Sequence, residues 1–150
     1  MSVNRVIGDQ GEIPWHIPED FQWFKSNTLN QVVAMGRKTF DSIGKPLPKR
    51  ETLLISRSAT LESYPGVTIL SNLDALFDYK TDKEIWICGG SEIYEQTLQH
   101  CSELLLTVVK RKVSGDAFFP DFESLFERPE TLRDEKEFVI YRFRARNPVS

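Results

Sequence analysis

Gln31-Val32-Val33-Ala34-Met35-Gly36-Arg37-Lys38-Thr39-Phe40-Asp41-Ser42-Ile43-Gly44 reads as an apolar run of strand length, a glycine, and a helix that opens on basic residues. A continuous apolar run of this length reads as a strand, and strands handing over to helices point to an α/β fold. Free N–H groups at the start of such a helix favour an anion, and Arg37, Lys38 and Thr39 add charge and donors beside them. A basic first turn on a solvated helix is the plainer alternative. The stretch is not a nucleotide-binding P-loop, because Gln31 stands where that motif needs its first glycine.

Upstream, Ile13-Pro14-Trp15-His16-Ile17-Pro18-Glu19-Asp20-Phe21-Gln22-Trp23-Phe24-Lys25-Ser26-Asn27-Thr28 predicts a helix starting near Pro18, since proline has no N–H to lose there and first-turn acids favour the positive end of the macrodipole. Helical spacing places Asp20 on one face with Trp23, Phe24 and Thr28, and Phe21 borders that face. A carboxylate aimed along an aromatic surface either turns out to solvent or lies in an apolar cleft, where it is suited to handling a proton. Before it, Val6-Ile7 and then Gly8-Asp9-Gln10-Gly11-Glu12 form a short apolar beat and a mobile loop that delivers the chain to Trp15.

Downstream, Lys45-Pro46-Leu47-Pro48-Lys49-Arg50 is a proline-stiffened loop suited to clamp an elongated ligand with an anionic tail. Arg50 could hold a carboxylate through paired hydrogen bonds, or be a solvated loop arginine. Thr52 to Ser56 reads as a buried strand, with Ser56 and Arg57 as a second possible phosphate contact. Val67 to Leu70 is a short strand, Ser71-Asn72 a cap, and Leu73 to Phe77 a scaffold helix. Glu84 to Cys88, Gly89-Gly90 and Ser91 to Leu98 repeat the order strand, glycine, helix; the glycines let a ligand approach the backbone closely. They form neither the Gly-x-Gly-x-x-Gly fingerprint nor a serine-hydrolase elbow, whose fifth position is Ile93 here. Leu104 to Val109 is a strand in which Thr107 is a lone hydroxyl, Ser114 to Ala117 a turn, Phe118-Phe119-Pro120-Asp121 an aromatic anchor, and Glu137 to Arg146 an alternating strand of antiparallel type. Strands alternating with helices and closing in an antiparallel hairpin make an α/β fold.

The 150 residues are the size of one domain, taken as 1–150, and a formal charge of −3 offers no electrostatic case for nucleic acid or an anionic membrane. Cys88 and Cys101 form no metal-type cluster, so reduced thiols in a cytoplasmic setting are expected, with a single disulfide as the alternative. No apolar run approaches the ~20 residues of a membrane helix, and no signal peptide is evident at the N-terminus. His16 and His100 lie in no metal-ligand or triad pattern.

In their order and spacing, Asn4-Arg5-Val6-Ile7-Gly8, Ile13-Pro14-Trp15, Pro18-Glu19-Asp20 with Trp23-Phe24-Lys25, Met35-Gly36-Arg37-Lys38-Thr39, Ser42-Ile43-Gly44 with Pro46-Leu47-Pro48 and Arg50, Gly89-Gly90 with Ile93-Tyr94, and Gly115-Asp116 with Phe119-Pro120 resemble dihydrofolate reductase over nearly the whole chain. The resemblance implies a mostly parallel central sheet with flanking helices and a C-terminal antiparallel hairpin. It also implies reduction of 7,8-dihydrofolate to tetrahydrofolate by hydride from NADPH, in one-carbon metabolism. On that resemblance Asp20 binds the pterin and supports protonation at N5 while hydride reaches C6. Trp15 orders the water that brings the proton, and Thr107 joins the carboxylate's hydrogen-bond network. Phe21, Phe24, Ile43 and Leu47 line the pterin and benzoyl pocket, and Arg50 holds the glutamate carboxylate. Gly36, Arg37, Lys38, Thr39, Ser56 and Arg57 surround the NADPH phosphates, with Gly89, Gly90, Ser91 and Ile93 against the pyrophosphate and nicotinamide. Residues 8 to 16 form a lid braced by the Gly115-Asp116 turn. A monomer without metal is expected.

Two departures qualify the resemblance. The family's apolar first strand, which sits in the middle of the sheet, is expected to be missing because the chain begins Met1-Ser2-Val3, leaving neighbours with unpaired backbone groups at about 1–3 kcal/mol each. Three readings follow: Met1 is an internal methionine, the preferred one; the sheet closes or a partner chain fills it by self-association; or the chain is a non-catalytic pterin- or nucleotide-binding remnant. Glu92, an acid near the expected 2′-phosphate, weakens selectivity for NADPH over NADH, which Arg37 and Arg57 support. The reductase of riboflavin synthesis is a further alternative that Trp15, Asp20 and Arg50 argue against, since its substrate has no glutamate tail.

Overall fold

A computed structural model describes residues 1–60 and 62–147. Its elements run β1 (Val6–Gly8), α1 (Pro18–Thr28), β2 (Val32–Gly36), α2 (Arg37–Ile43), β3 (Glu51–Ile55), β4 (Thr68–Leu70), α3 (Leu73–Phe77), β5 (Ile85–Ile87), α4 (Ser91–Thr97), β6 (Glu103–Val109), β7 (Ala117–Phe118), β8 (Glu130–Asp134) and β9 (Phe138–Arg144). The chain divides into two compact units, one formed by Ile17–Ile93 and the other by residues 1–16 with the chain from Tyr94 onward.

The unit Ile17–Ile93 is built on a parallel sheet of order β4-β3-β2-β5. Its centre is apolar on both faces. Val33, Met35 and Leu54 pack with Phe40, Val67 and the half-buried Phe24 and Leu47, whereas Val32, Ala34 and Leu53 pack with Leu76. This explains why the sequence around position 33 does not alternate. Each fully buried Val, Leu or Met contributes about 1.5–3 kcal/mol of transfer free energy. Helix α1 begins at Pro18 as expected, and α2 stops at Gly44, whose φ of 85° suits glycine and whose N–H donates to Phe40 O at 2.9 Å. Asn72 caps α3 by accepting from the Ala75 N–H at 2.9 Å.

In the other unit β6, β9 and β8 form an antiparallel sheet with Thr107 opposite Ile140, and β1 pairs with β7. Phe119, Phe122, Phe126 and Phe143 form its core with Leu98 and Leu106. The Phe122 and Phe143 rings meet edge to face, 5.1 Å apart at 84°. Of the expected aromatic anchor, Phe119 is buried and Phe118 is half exposed. Met1 and Ser2 run beside β6: the Met1 ammonium donates to Thr107 O at 2.7 Å, Val109 N–H donates to Met1 O at 2.8 Å, and Ser2 bridges Val109 in parallel. Ser2 is fully buried, its Oγ donating to Asn4 Oδ1 and accepting from the Val6 N–H.

Gly115 is the tightest point of this unit, because a Cβ there would lie under 3.0 Å from both Val6 Cγ1 and Gly8 O. The second neighbour is backbone and cannot swing aside. Gly115→Ala is therefore expected to destabilise the chain by about 1–3 kcal/mol, read as a lower urea midpoint at unchanged m; an unmoved midpoint would contradict the packing.

Candidate active site

The order β4-β3-β2-β5 has a switch point. From β2 the chain adds β3 and then β4 on one side, and β5 lies on the other. In open α/β sheets, ligands bind outside the carboxyl ends of the strands at such a point. Here those ends are Gly36 and Gly89-Gly90. The Gly36 N–H donates to Gly89 O at 3.0 Å. A Cβ on Gly36 would touch Ile93 Cγ1 at 3.4 Å, and one on Gly90 would lie 3.5 Å from Thr39 Oγ1. Gly36, Thr39, Gly89, Gly90 and Ile93 are thus brought together, and the Gly89–Gly90 peptide is cis. Ile55 pairs with Gly36, which sets Ser56 and Arg57 on the adjoining strand end. Ser56 Oγ accepts from the Ser58 and Ala59 N–H groups at 3.3 and 3.1 Å, which shapes that turn, while Arg37, Lys38 and Arg57 are exposed. Ser91 Oγ is buried without a hydrogen-bond partner among the described residues. An orphan hydroxyl, close-approach glycines and three exposed cations fit the phosphates of a dinucleotide.

A second group of expected residues lies on α1 and the proline loop. Asp20 is half-buried in the first turn of α1, and its N–H donates to Ile17 O at 3.0 Å. Phe24 and Leu47 share one apolar cluster, and Phe21 is half-buried, whereas Ile43 is 37% exposed at the end of α2. Arg50 is anchored on every nitrogen: Nε donates to Thr28 Oγ1 at 3.1 Å, Nη1 to Pro48 O at 2.7 Å, and Nη2 to Lys25 O. Thr28 is fully buried and itself donates to Phe24 O at 2.9 Å. The guanidinium is thereby fixed in place, with N–H groups left over on its Nη atoms for a ligand carboxylate. Sequence reasoning placed Thr28 on the helix face but missed its part in holding Arg50.

Trp15 and Thr107 belong to the other unit. Trp15 is half-buried just before α1, and Thr107 lies on β6, its carbonyl accepting from Met1. The loop ahead of Trp15 is braced as expected: the Gln10 N–H donates to both Asp116 carboxylate oxygens at 3.2 Å, and the Asp116 N–H donates to Gly8 O at 3.1 Å.

Glycines with flanking cations at the switch point of a parallel sheet define a class of nucleotide-binding α/β proteins. Within that class, residues 1–147 match the sequence model of the family described as dihydrofolate reductase. The chain is 41% identical over 149 residues to the dihydrofolate reductase of Haemophilus influenzae, an alignment covering 93% of this chain and 92% of that protein. It is 42% identical to dihydrofolate reductase type 3 of Salmonella typhimurium (95% and 91% covered) and 34% identical to the dihydrofolate reductase of Bacillus subtilis (95% and 88% covered). Its fold matches dihydrofolate reductase from Enterococcus faecalis complexed with NADP(H) and RAB-propyl, with a TM-score of 0.85 at 27% identity, covering 97% of this chain and 92% of that one. The chain belongs to the dihydrofolate reductase family.

The thiol next to Gly89 is no nucleophile. Burial pushes Cys88 from 9.0 up to about 12, against a smaller lowering by its hydrogen bond with the Ala34 backbone. The folded chain keeps this proton where the unfolded chain releases it. The corresponding stability is whole below pH 9.0 and is lost as pH rises towards about 12. Urea midpoints across that window should fall more steeply in the parent than in Cys88→Val, by up to about 1.4 kcal/mol per pH unit; equal slopes would contradict the burial.

Proposed function

We propose that this chain reduces 7,8-dihydrofolate to 5,6,7,8-tetrahydrofolate, hydride reaching C6 and a proton N5. The observation that carries the reading is the grouping of Gly36, Thr39, Gly90 and Ile93 at the carboxyl ends of β2 and β5, in a chain of this family. NADPH, when bound, supplies the hydride. Gly36, Arg37, Lys38, Thr39, Ser56 and Arg57 hold its phosphates, and Gly89, Gly90, Ser91 and Ile93 lie along its pyrophosphate and nicotinamide. Arg37 and Arg57 supply the positive charge that a 2′-phosphate needs, against the acid Glu92. Phe21, Phe24, Ile43 and Leu47 give the pterin and benzoyl rings apolar walls that exclude water, so that a hydride is passed on rather than lost to solvent. Arg50, already immobilised, fixes the glutamate carboxylate without having to order a flexible side chain.

Asp20 is the acid of the site. Its carboxylate orients the pterin through hydrogen bonds and favours the proton at N5. Trp15 orders the water that carries this proton, and Thr107 acts as a positioning residue for the acid. The chain works as one domain and a monomer in the cytoplasm, on small molecules alone. Among the described residues, no helix is long and apolar enough to cross a membrane, and no group of His, Cys, Asp and Glu could hold a metal ion.

Asp20→Asn should lower kcat for dihydrofolate by about 100-fold or more while the Kd for NADPH changes little, because a proton-transfer group typically contributes a factor of that order. An equal loss in both would remove the role. Arg57→Ala should raise the KM for NADPH about tenfold and leave that for NADH nearly unchanged, as a lost charge-assisted phosphate contact would; a parallel rise for both cofactors would refute the assignment.

A further inference from the structure

Arg37 has an acid four residues further along α2, Asp41, and that spacing makes the two side chains neighbours on one helical face. Both are exposed. A carboxylate so placed is a ready partner for a guanidinium and a competitor of any phosphate that the guanidinium would hold. Yet neither Arg37 nor Asp41 enters an ion pair among the described residues. Asp41 Oδ2 instead accepts a hydrogen bond from the Tyr64 hydroxyl at 3.4 Å.

Tyr64 lies between β3 and β4, and its ring is held independently of that bond. It packs edge to face on the buried Phe40 of α2, with centroids 5.7 Å apart at 68°. The Tyr64 N–H donates to Thr60 O at 2.9 Å, and two positions on a Cβ at Gly66 would lie 3.3 Å from Pro46 Cγ. The hydroxyl is thus delivered to α2 by packing. It also faces charges of both signs: burial first, then the hydrogen bond with Asp41 and the charge of Asp41, push the phenol above 10.0, while the Arg37 guanidinium pulls it down. The phenol therefore keeps its proton at neutral pH and is the donor of the bond, with the carboxylate as acceptor. Arg37, Asp41 and Tyr64 form one group, in which the hydroxyl takes the acid and leaves the guanidinium.

We propose that Tyr64 is a positioning residue for the cofactor: by holding the Asp41 carboxylate it keeps that acid from pairing with Arg37, which stays available to the 2′-phosphate of NADPH. The inference rests on the reading of Arg37 as a contact of that phosphate, given above. Without the hydroxyl, Asp41 closes on Arg37 along the helix, and the phosphate has to displace it. NADH has no 2′-phosphate and is indifferent to the exchange. The hydroxyl therefore bears on the choice between the two cofactors.

The test titrates the intact chain with NADPH and with NADH, following quenching of tryptophan fluorescence, so that affinity is read apart from turnover. Tyr64→Phe keeps the ring on Phe40 and should raise the Kd for NADPH about two- to fivefold at low salt, the range of exposed ion pairs. The Kd for NADH and kcat at saturating NADPH should not move. Asp41→Asn removes the competitor, so it should leave the Kd for NADPH at the parent value or lower it, and Tyr64→Phe added to Asp41→Asn should cost nothing further. A merely structural bond has the opposite signature, because Asp41→Asn would then weaken NADPH binding as Tyr64→Phe does. That result, an unmoved Kd for NADPH in Tyr64→Phe, a parallel loss for NADH, or a loss that persists in the double variant would overturn the role of Tyr64. Arg37→Gln reports separately on the reading beneath it: weaker binding of NADPH alone supports that reading, and unmoved binding of NADPH overturns both.

Discussion

The enclosure of β2 on both faces is the constraint on which the unit Ile17–Ile93 depends. Val32, Val33, Ala34 and Met35 are at most 1% exposed, so no side chain of this strand is available for chemistry. Function is pushed to the strand's ends, where the backbone emerges. At the carboxyl end, the Gly36 N–H donates to Gly89 O at 3.0 Å, and a Cβ on Gly36 would stand in ordinary contact with Ile93 Cγ1 at 3.4 Å. A parallel sheet buried on both faces, with its order reversing at β2, leaves one natural place for a nucleotide, and the cations of α2 and of the turn after β3 stand there.

The recognition proposed for Arg50 rests on a tether. Arg50 is exposed enough to meet a ligand, yet each of its nitrogens donates to α1 or to the proline loop. Thr28 connects them, since its hydroxyl accepts from Arg50 and donates back to its own helix. Holding a long side chain still costs rotamer entropy, of the order of 2 kcal/mol for arginine, and the fold bears that cost before any ligand arrives. The same helix carries Asp20 in its first turn and the tether in its last, so α1 fixes the spacing between the acid and the guanidinium. On the proposed roles of Asp20 and Arg50, a substrate held at both ends must match that spacing.

Much of this was legible in the sequence because local rules and packing agreed. Pro18 started α1, Asn72 capped α3, and the continuous apolar run at Val32 gave a strand. What escaped was whatever depends on pairing rather than on pattern. Glu130–Asp134 is mostly polar and exposed, without apolar alternation, and is a strand because its main chain bonds to β9, aided by the Arg142–Glu130 ion pair at 3.8 Å. Such an edge strand has charge where a central one has apolar side chains, which also discourages pairing with other chains. Val6-Ile7 likewise read only as a short apolar beat ahead of a loop, and Val6–Gly8 is a strand because Ala117–Phe118 lies opposite. The site residues divided similarly. Glycines and cations after a strand are readable, whereas the Tyr64 hydroxyl reaches the Asp41 carboxylate from 23 positions away, which no local pattern shows.

Met1 and Ser2 run along the edge of β6. The sequence raised the expectation of unpaired backbone where the family places its first strand. In the structure, Met1 and Ser2 satisfy part of the β6 edge: the carbonyl of Thr107 and the N–H of Val109 both find partners on Met1. The buried Ser2 hydroxyl then accepts from Val6 and donates to Asn4, whose side chain in turn bonds both ways to the Val113 backbone. These bonds tie the segment ahead of β1 to the segment after β6. Because Gly115 allows no side chain between itself and Gly8, the two segments close on each other at both ends of β1. The loop that leads from Gly8 to Trp15 therefore departs from a fixed base, and it stays bonded beyond it: Asp9 and Glu12 exchange backbone hydrogen bonds, and the Gln10 N–H donates to Asp116.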